Sequence, residues 1–390
     1  MKKIPTLAGI LLFTLPAFSQ NVTPEAAVQA ALQNHPLAKA AALDVQAKKY
    51  GEKAARNLSN PEVNTESPTG EFYTIGVSQS FELPTVYARQ KKVAQAETAL
   101  AQTSQQVSEN DLRYTVRSLY LETQFADYQS RQWAGRDSLY QAIITAATRQ
   151  FAAGEIDFLQ KTMAENEAGQ VRQERLAAEQ TVAMLRQQLA VFTGLADPGS
   201  LEPLAADTSM AFLLPGGGLG NPSMAYQQQV AQVAERQVAL AKSRALPNFS
   251  LGYMNQGPRN TPLEYRFRAS VGIPLWTGQY RATTNAAQAE SQAALARAEA
   301  QGQSIALEAA RARTEATTAL TRVQYYQREG LPRSRSLITA ATRLREAGQV
   351  DYVTFLRTLD QAYGIQRDYA VQLDTLNLAQ LRLRYLSGKW

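Results

Sequence analysis

The chain has 390 residues, 45% of them hydrophobic, with 40 Lys and Arg against 34 Asp and Glu, one histidine and no cysteine. That composition excludes disulfides, thiolate metal sites, cysteine nucleophiles and a lipid-modified N-terminal cysteine. The net charge of +6 drops by two, to +4, if Lys2 and Lys3 leave with a leader; basic and acidic residues interleave rather than cluster, which argues against nucleic acid as a partner.

Met1-Lys2-Lys3, an apolar run from Ile4 to Phe18 and the small-residue site Ala17-Phe18-Ser19 predict a secretory signal peptide over residues 1–19. No later run approaches the roughly 18 apolar residues of a membrane helix. Thr23 as cap, Pro24 in the first turn and Glu25 at the positive end predict a helix from Thr23 to about Leu58, carried past Pro36 and stopped by Asn60-Pro61. Two strands follow. Glu62–Glu66 alternates weakly; then Tyr73, Ile75 and Val77 fall on one face, with Thr74, Gly76 and Ser78 on the other.

From Thr85 to about Phe151 apolar residues recur at heptad spacing, among them Val93, Leu100, Val107, Leu112, Val116 and Leu119. This predicts one coiled-coil rod, roughly 100 Å long at 1.5 Å per residue. It closes at Ala153-Gly154-Glu155-Ile156-Asp157-Phe158 and returns as a helix near 158–192. A stretch rich in Gly and Pro, 193–220, reads as a linker or small equatorial feature.

Residues 221–390 repeat the first half in order. Asn221-Pro222 matches His35-Pro36, Leu246-Pro247 matches Asn60-Pro61, and Ala347-Gly348-Gln349-Val350-Asp351-Tyr352 matches the first turn. The chain is therefore expected to be a tandem duplication, 20–192 and 221–390. In the second half Phe249, Leu251 and Tyr253 alternate with Ser250 and Gly252, and a strand over 265–275 places Arg266 and Arg268 opposite Phe267, Ala269 and Val271. A second rod is expected from Gly278 to about Arg345, returning over 352–386.

The fold class is mainly α with a small β part. Strands of this length, with aromatics near their ends, fit a transmembrane barrel wall. Four strands cannot close a barrel and lipid cannot satisfy open edges, so several chains must share one; three would supply twelve strands. Gly154 and Gly348 are expected to supply left-handed turns, and Asp157 and Asp351 to cap the returning helices. Arg266 and Arg268 form either a solvated surface or a positive lumen ring. One histidine, His35, with scattered methionines makes no metal site, and no nucleophile–base or phosphate-binding pattern occurs, so no cofactor and no enzymatic activity are expected. A periplasmic coiled-coil adaptor or structural protein is the alternative to a membrane duct.

The ordered set of leader, duplication, strand pairs and hairpins closing at Ala-Gly-x-x-Asp resembles the TolC-type outer-membrane efflux proteins. Val77-Ser78-Gln79-Ser80-Phe81-Glu82-Leu83-Pro84 and Val271-Gly272-Ile273-Pro274-Leu275-Trp276-Thr277-Gly278 are similar to that family's strand-to-helix junctions. The first is more similar to the heavy-metal branch. The resemblance implies a homotrimer in outer-membrane lipid, with a twelve-stranded barrel continuing into a twelve-helix periplasmic tunnel. It also implies a periplasmic adaptor docking at the tips around Gly154, Asp157, Gly348 and Asp351, and a resistance-nodulation-division pump delivering metal cations. The family's tunnel constriction falls at Thr354, Leu356 and Arg357, with Asp360 beyond; the usual acidic positions do not recur there. Small organic drugs are the alternative cargo.

Overall fold

A computed structural model describes residues 22–55, 57–66, 74–196, 199–206, 220–255 and 266–390. The leader, Tyr73 and Tyr265 lie outside the described residues, as does all of 207–219. Among the described residues eight α-helices and four strands follow one another as α1 (Pro24–Asn34), α2 (Pro36–Ala54), β1 (Glu62–Glu66), β2 (Thr74–Phe81), α3 (Pro84–Ala152) and α4 (Phe158–Thr193). The chain continues with α5 (Pro222–Ser243), β3 (Asn248–Met254), β4 (Phe267–Gly272), α6 (Thr277–Tyr325), a π-helical turn (Tyr326–Gly330), α7 (Leu331–Glu346) and α8 (Tyr352–Ser387). Contacts divide the chain into two units. One joins the residues up to Ala30 with Leu119–Ala205, and the other joins Ala31–Ser118 with Ala206–Trp390.

The first rod is continuous, Pro84–Ala152 against the expected Thr85–Phe151. Two other expectations need correction. The N-terminal helix does not run through Pro36: it stops at Asn34, and His35, in an extended conformation, caps a new helix through Nδ1, which accepts from Leu37 N. Proline explains both halves of this, since its ring disfavours α geometry in the residue before it and its missing N–H suits a first helical turn. The second rod is also interrupted. At Tyr326–Gly330 the backbone widens, and Leu331 N–H reaches Tyr326 O across an extra residue. Pro332 follows at once; a proline inside a helix removes one hydrogen bond and crowds the carbonyl four residues back. The wider turn relieves that crowding.

In the first unit small residues let helices approach: Ala147, Ala164 and Ala168 are buried with Leu189. Within the stretch expected to be a linker or small equatorial feature, residues 199–206 are described, and Leu201 ties them in. Leu201 is buried and bridges Val22 in parallel, and both are pinned by Tyr120, a fully buried side chain. Its hydroxyl donates to Val22 O at 2.7 Å and accepts from Glu202 N at 3.0 Å. Burial raises the Tyr120 pKa. Gln124 adds a bond to Glu202 O.

The second unit packs α6 and α7 against α8, with Ala316, Leu320, Val323, Leu359, Ala362, Leu373 and Leu376 in the core. Its chain end is tied down. Tyr385 donates to Asp111 at 2.9 Å, Trp390 Nε1 donates to Asn110 Oδ1 at 2.9 Å, and Asn221 Nδ2 donates to Leu386 O at 2.9 Å. Burial and the Asp111 carboxylate push the Tyr385 phenol up to about 12. Gly388 is required here: it has φ +66°, and a Cβ would run into the Gly220 carbonyl.

The sheet is antiparallel throughout, in the order β1-β2-β3-β4. β4 is shorter than the expected strand. It ends at Gly272 because Pro274 cannot donate to a ladder; Leu275 N turns back to Ile273 O instead.

Candidate functional site

Register fixes what each sheet face carries. Val63 opposes Val77, Val77 opposes Tyr253, Phe81 opposes Phe249, Phe249 opposes Val271, and Tyr253 opposes Phe267. Ile75, Val77, Leu251, Phe267 and Val271 on this side are all exposed. The other face pairs Ser78 with Gly252, Ser250 with Ser270 and Gly252 with Arg268, and Asn64 donates to Ser78 across β1 and β2. An apolar face turned to the surrounding medium, with polar groups behind it, inverts the logic of a water-soluble sheet. Among the described residues β1 and β4 are the edges, and neither has an outer partner.

The two expected arginines separate. Arg268 lies within β4 on the polar face, opposite Gly252. Arg266 precedes the strand and donates to Asn255 Oδ1 at 2.9 Å, closing the hairpin end.

All four helix junctions lie at the same end of the sheet, since β1 and β3 begin there while β2 and β4 finish there. Ser59 Oγ donates to Ser80 O there, and Gln79 donates back to Ser59 O.

The hairpin tips share one backbone design. Gly154 (φ +73°) and Gly348 (φ +69°) are left-handed. Glu155 N bonds Gln150 O, and Gln349 N bonds Leu344 O, the six-to-one closure of a Schellman turn. Asp157 Oδ1 accepts from Gln160 N at 2.7 Å; Asp351 Oδ1 accepts from Thr354 N at 3.0 Å, while Asp351 Oδ2 also accepts from Thr354 Oγ1 at 2.6 Å. Hydrogen bonds from the Thr354 side chain and backbone hold the Asp351 carboxyl below its ordinary range.

Of the residues expected at a constriction, Thr354 and Arg357 are exposed on α8, as is Asp360, whereas Leu356 is buried in the packing of α8. All four lie on α8, and spacing from Gly348 does not distinguish its two faces. Polar contacts missed by the sequence reading zip the second rod to α8: Arg322 to Gln372, Gln327 to the Tyr369 hydroxyl, Gln366 to Ser334 Oγ, and Ser334 Oγ to Ala362 O at 2.8 Å. Gly330 is buried beside them, where a Cβ would meet Tyr326 Cδ1 at 2.7 Å and Ile365 Cγ2 at 3.3 Å. The pairing of Gly330 with Pro332 inside an otherwise unbroken heptad pattern was the available signal.

Residues 219–389 match the family profile described as outer membrane efflux protein. No curated protein sequence matches the chain. Among solved structures the chain is similar to CusC, from work on folding and transmembrane channel formation (TM-score 0.81, 16% identity, covering 95% of this chain and 93% of that one). It is also similar to the outer membrane protein VceC of Vibrio cholerae (TM-score 0.78, 16% identity, 94% and 96% covered). The CmeC outer membrane channel of Campylobacter jejuni gives a TM-score of 0.76 at 12% identity, with 94% and 85% covered.

Proposed function

We propose that the chain is the outer-membrane duct of a tripartite efflux system, a passive conduit and not an enzyme. One observation carries the reading: a four-stranded sheet exposes a largely apolar face, broken by Thr65 and Gln79, and among the described residues two open edges, and every junction leads into a helix. Lipid can cover that face, but only further strands can satisfy those edges. Three chains would close a twelve-stranded barrel, with the helices extending into the periplasm as a tunnel. The family match over 219–389 and the fold shared with outer membrane channels support the same reading.

The tips at Gly154–Asp157 and Gly348–Asp351 are the proposed adaptor contacts, with Thr354 and Arg357 flanking the tunnel mouth. Leu356 supports that region through packing. The cargo is proposed to be heavy-metal cations handed over by a resistance-nodulation-division pump and adaptor, on the strength of Gln79–Pro84. Small organic compounds are the second reading, favoured by Arg268 on the polar sheet face, since a positive lumen opposes free cations.

Cross-linking in membranes should stop at three subunits, and a folded monomer with its own closed barrel would end the duct reading. A deletion strain challenged with copper, silver, zinc, cobalt and cadmium salts beside dyes and antibiotics tests the cargo. Lost metal tolerance is expected; unchanged metal tolerance with heightened drug sensitivity would overturn the metal assignment and leave the duct standing.

A further inference from the structure

The helices carry an uneven charge at the end that meets the sheet. Toward its sheet-side end α2 carries Lys48, Lys49 and Lys53, and α3 opens with Arg89, Lys91 and Lys92. Arg236 and Lys242 lie in the last nine residues of α5, Arg244 is its C-cap, and Arg281 lies in the first two turns of α6. In the nine helical residues at each of the four ends, about 13 Å of helix, and the C-cap Arg244, these ten cations stand against two carboxylates, Glu52 and Glu235; Glu82 lies just outside, two residues before α3. That local net of +8 exceeds the +6 of the whole chain, so the remaining residues together are negative. Nine of the ten are exposed and Lys91 is half-buried; among the described residues only Lys48 has a carboxylate partner, Glu97 at 2.9 Å.

The surroundings of this belt are ordered. Along the chain from the apolar sheet face come the exposed Ile273, Leu275 and Trp276, then Arg281. Between α3, α5 and α6 opens a cleft of about 830 Å³, with Arg89 and Lys242 at its wall, the hydroxyls of Thr85 and Ser243, apolar Val238 and Leu246, and the single carboxylate Glu235. Apolar surface, then an aromatic side chain, then clustered cations is the sequence of environments met on leaving a bilayer through an anionic leaflet. A cleft pairing cations with hydroxyls and an apolar floor fits a phosphate headgroup and the start of its acyl chains.

We infer that this belt binds anionic phospholipid headgroups of the periplasmic leaflet, with the Arg89–Lys242 cleft as a discrete lipid site. The inference rests on the membrane reading of the sheet. It commits to lipid rather than free phosphate because the cleft sets apolar Val238 and Leu246 beside its cations, and Leu246 lies two residues before β3.

The test uses the full chain reconstituted in vesicles of phosphatidylcholine alone or of phosphatidylcholine with an equal part of phosphatidylglycerol, followed by native mass spectrometry of the retained lipid. Phosphatidylglycerol should be enriched over phosphatidylcholine. The enrichment should fall about fivefold or more in Arg89→Gln/Lys91→Gln/Lys92→Gln and in Lys242→Gln/Arg244→Gln, as expected from the attraction of each basic residue to an anionic surface. It should also weaken as salt is raised. The control Arg311→Gln/Arg328→Gln/Arg335→Gln removes as much charge as the triple variant from exposed positions further along the helical part of the same unit and should keep the enrichment. Inorganic phosphate added in excess should not displace the retained lipid. Equal retention of both lipids, or enrichment untouched by both belt variants, overturns the inference. A heat-modifiable trimer in phosphatidylcholine vesicles, present in either case, keeps the membrane reading separate from that failure; protein that inserts into neither vesicle refutes both.

Discussion

The two hairpins are built on the same turn and finished differently. Both tips use a left-handed glycine, a Schellman closure and an aspartate cap. At the first, Phe158 and Leu159 stand 69% and 66% exposed, with Phe151 edge-on to Phe158. At the second, the equivalent Tyr352 is 3% exposed beneath the Arg345 guanidinium, and the polar Thr354 ties itself to the cap. The rods behind them differ as well, since α3 runs unbroken for 69 residues while its counterpart carries a π turn. Backbone geometry is thus held equal where the chain must reverse, and side chains diverge where each hairpin meets its own surroundings. The first tip has the dress of a contact surface, and the second that of a self-contained, tightly bonded element.

The largest effect should come from what the tips share. Gly154→Val and Gly348→Val each force a β-branched residue into a left-handed conformation, costing about 1–2 kcal/mol or more apiece. Nothing lies within 4 Å of either position, so the cost is conformational and not steric. Efflux should fall in both variants while trimers still assemble in the outer membrane. Wild-type efflux in both would show that these turns do not form the working mouth.

The rods should separate next. Gly330→Ala places a methyl group against the Tyr326 ring and Ile365, an overpacking cost of about 1–3 kcal/mol. Gly135→Ala, in open space on α3, should stabilise by about 0.5–1 kcal/mol through helix propensity. Thermal melting followed by helical circular dichroism reads both signs. Equal shifts in the same direction would mean that the π turn is no more constrained than ordinary helix.

Side chains at the first tip should matter for binding rather than folding. Phe158→Ser with Leu159→Ser removes exposed apolar surface, so stability should move by no more than about 0.5 kcal/mol. Adaptor affinity should drop about tenfold or more if these residues anchor the contact. Val353→Ser at the second tip, measured by the same titration, should do much less. A larger loss there would reverse the roles assigned to the two tips.

Local pattern carried much of this design. Heptad spacing placed α3 to within one residue at each end, and the Ala-Gly-x-x-Asp repeats located both turns with their caps. The alternation from Phe249 to Val271 was enough to identify the exposed face, because side-chain direction in a strand follows from sequence parity alone. What escaped depended on other scales. The π turn arises from competition between a heptad that favours continuity and a proline that forbids it, and only packing against α8 through Gly330 decides the outcome. Tyr120 and Glu202 meet across 82 positions, a distance at which no periodicity reports. Leu356 shows the same limit: its helix was legible, but whether it faced the packed side or the surface depended on partners distant in sequence.

The smallest effect isolates the one chemical difference at the caps. The Asp351 carboxylate is stabilised by bonds from the Thr354 hydroxyl and amide, so its folded pKa lies below its unfolded value. Its contribution is therefore complete above the ordinary aspartate range and is lost as pH falls through the depressed folded pKa. Protection of the first-turn amides of α8 against hydrogen exchange, corrected for intrinsic rate, should hold from neutral pH down to about 4 and decline below. Asp351→Asn should flatten that decline, since no proton is left to bind. Thr354→Val removes the hydroxyl bond and keeps the amide bond, so the decline should begin at higher pH. The reciprocal change, Gln160→Thr, offers Asp157 the hydroxyl it lacks and should raise the protection of the first-turn amides of α4. Identical profiles for the parent chain and Thr354→Val would mean that the amide alone sets the cap, and the contrast between the two caps would then have no energetic content.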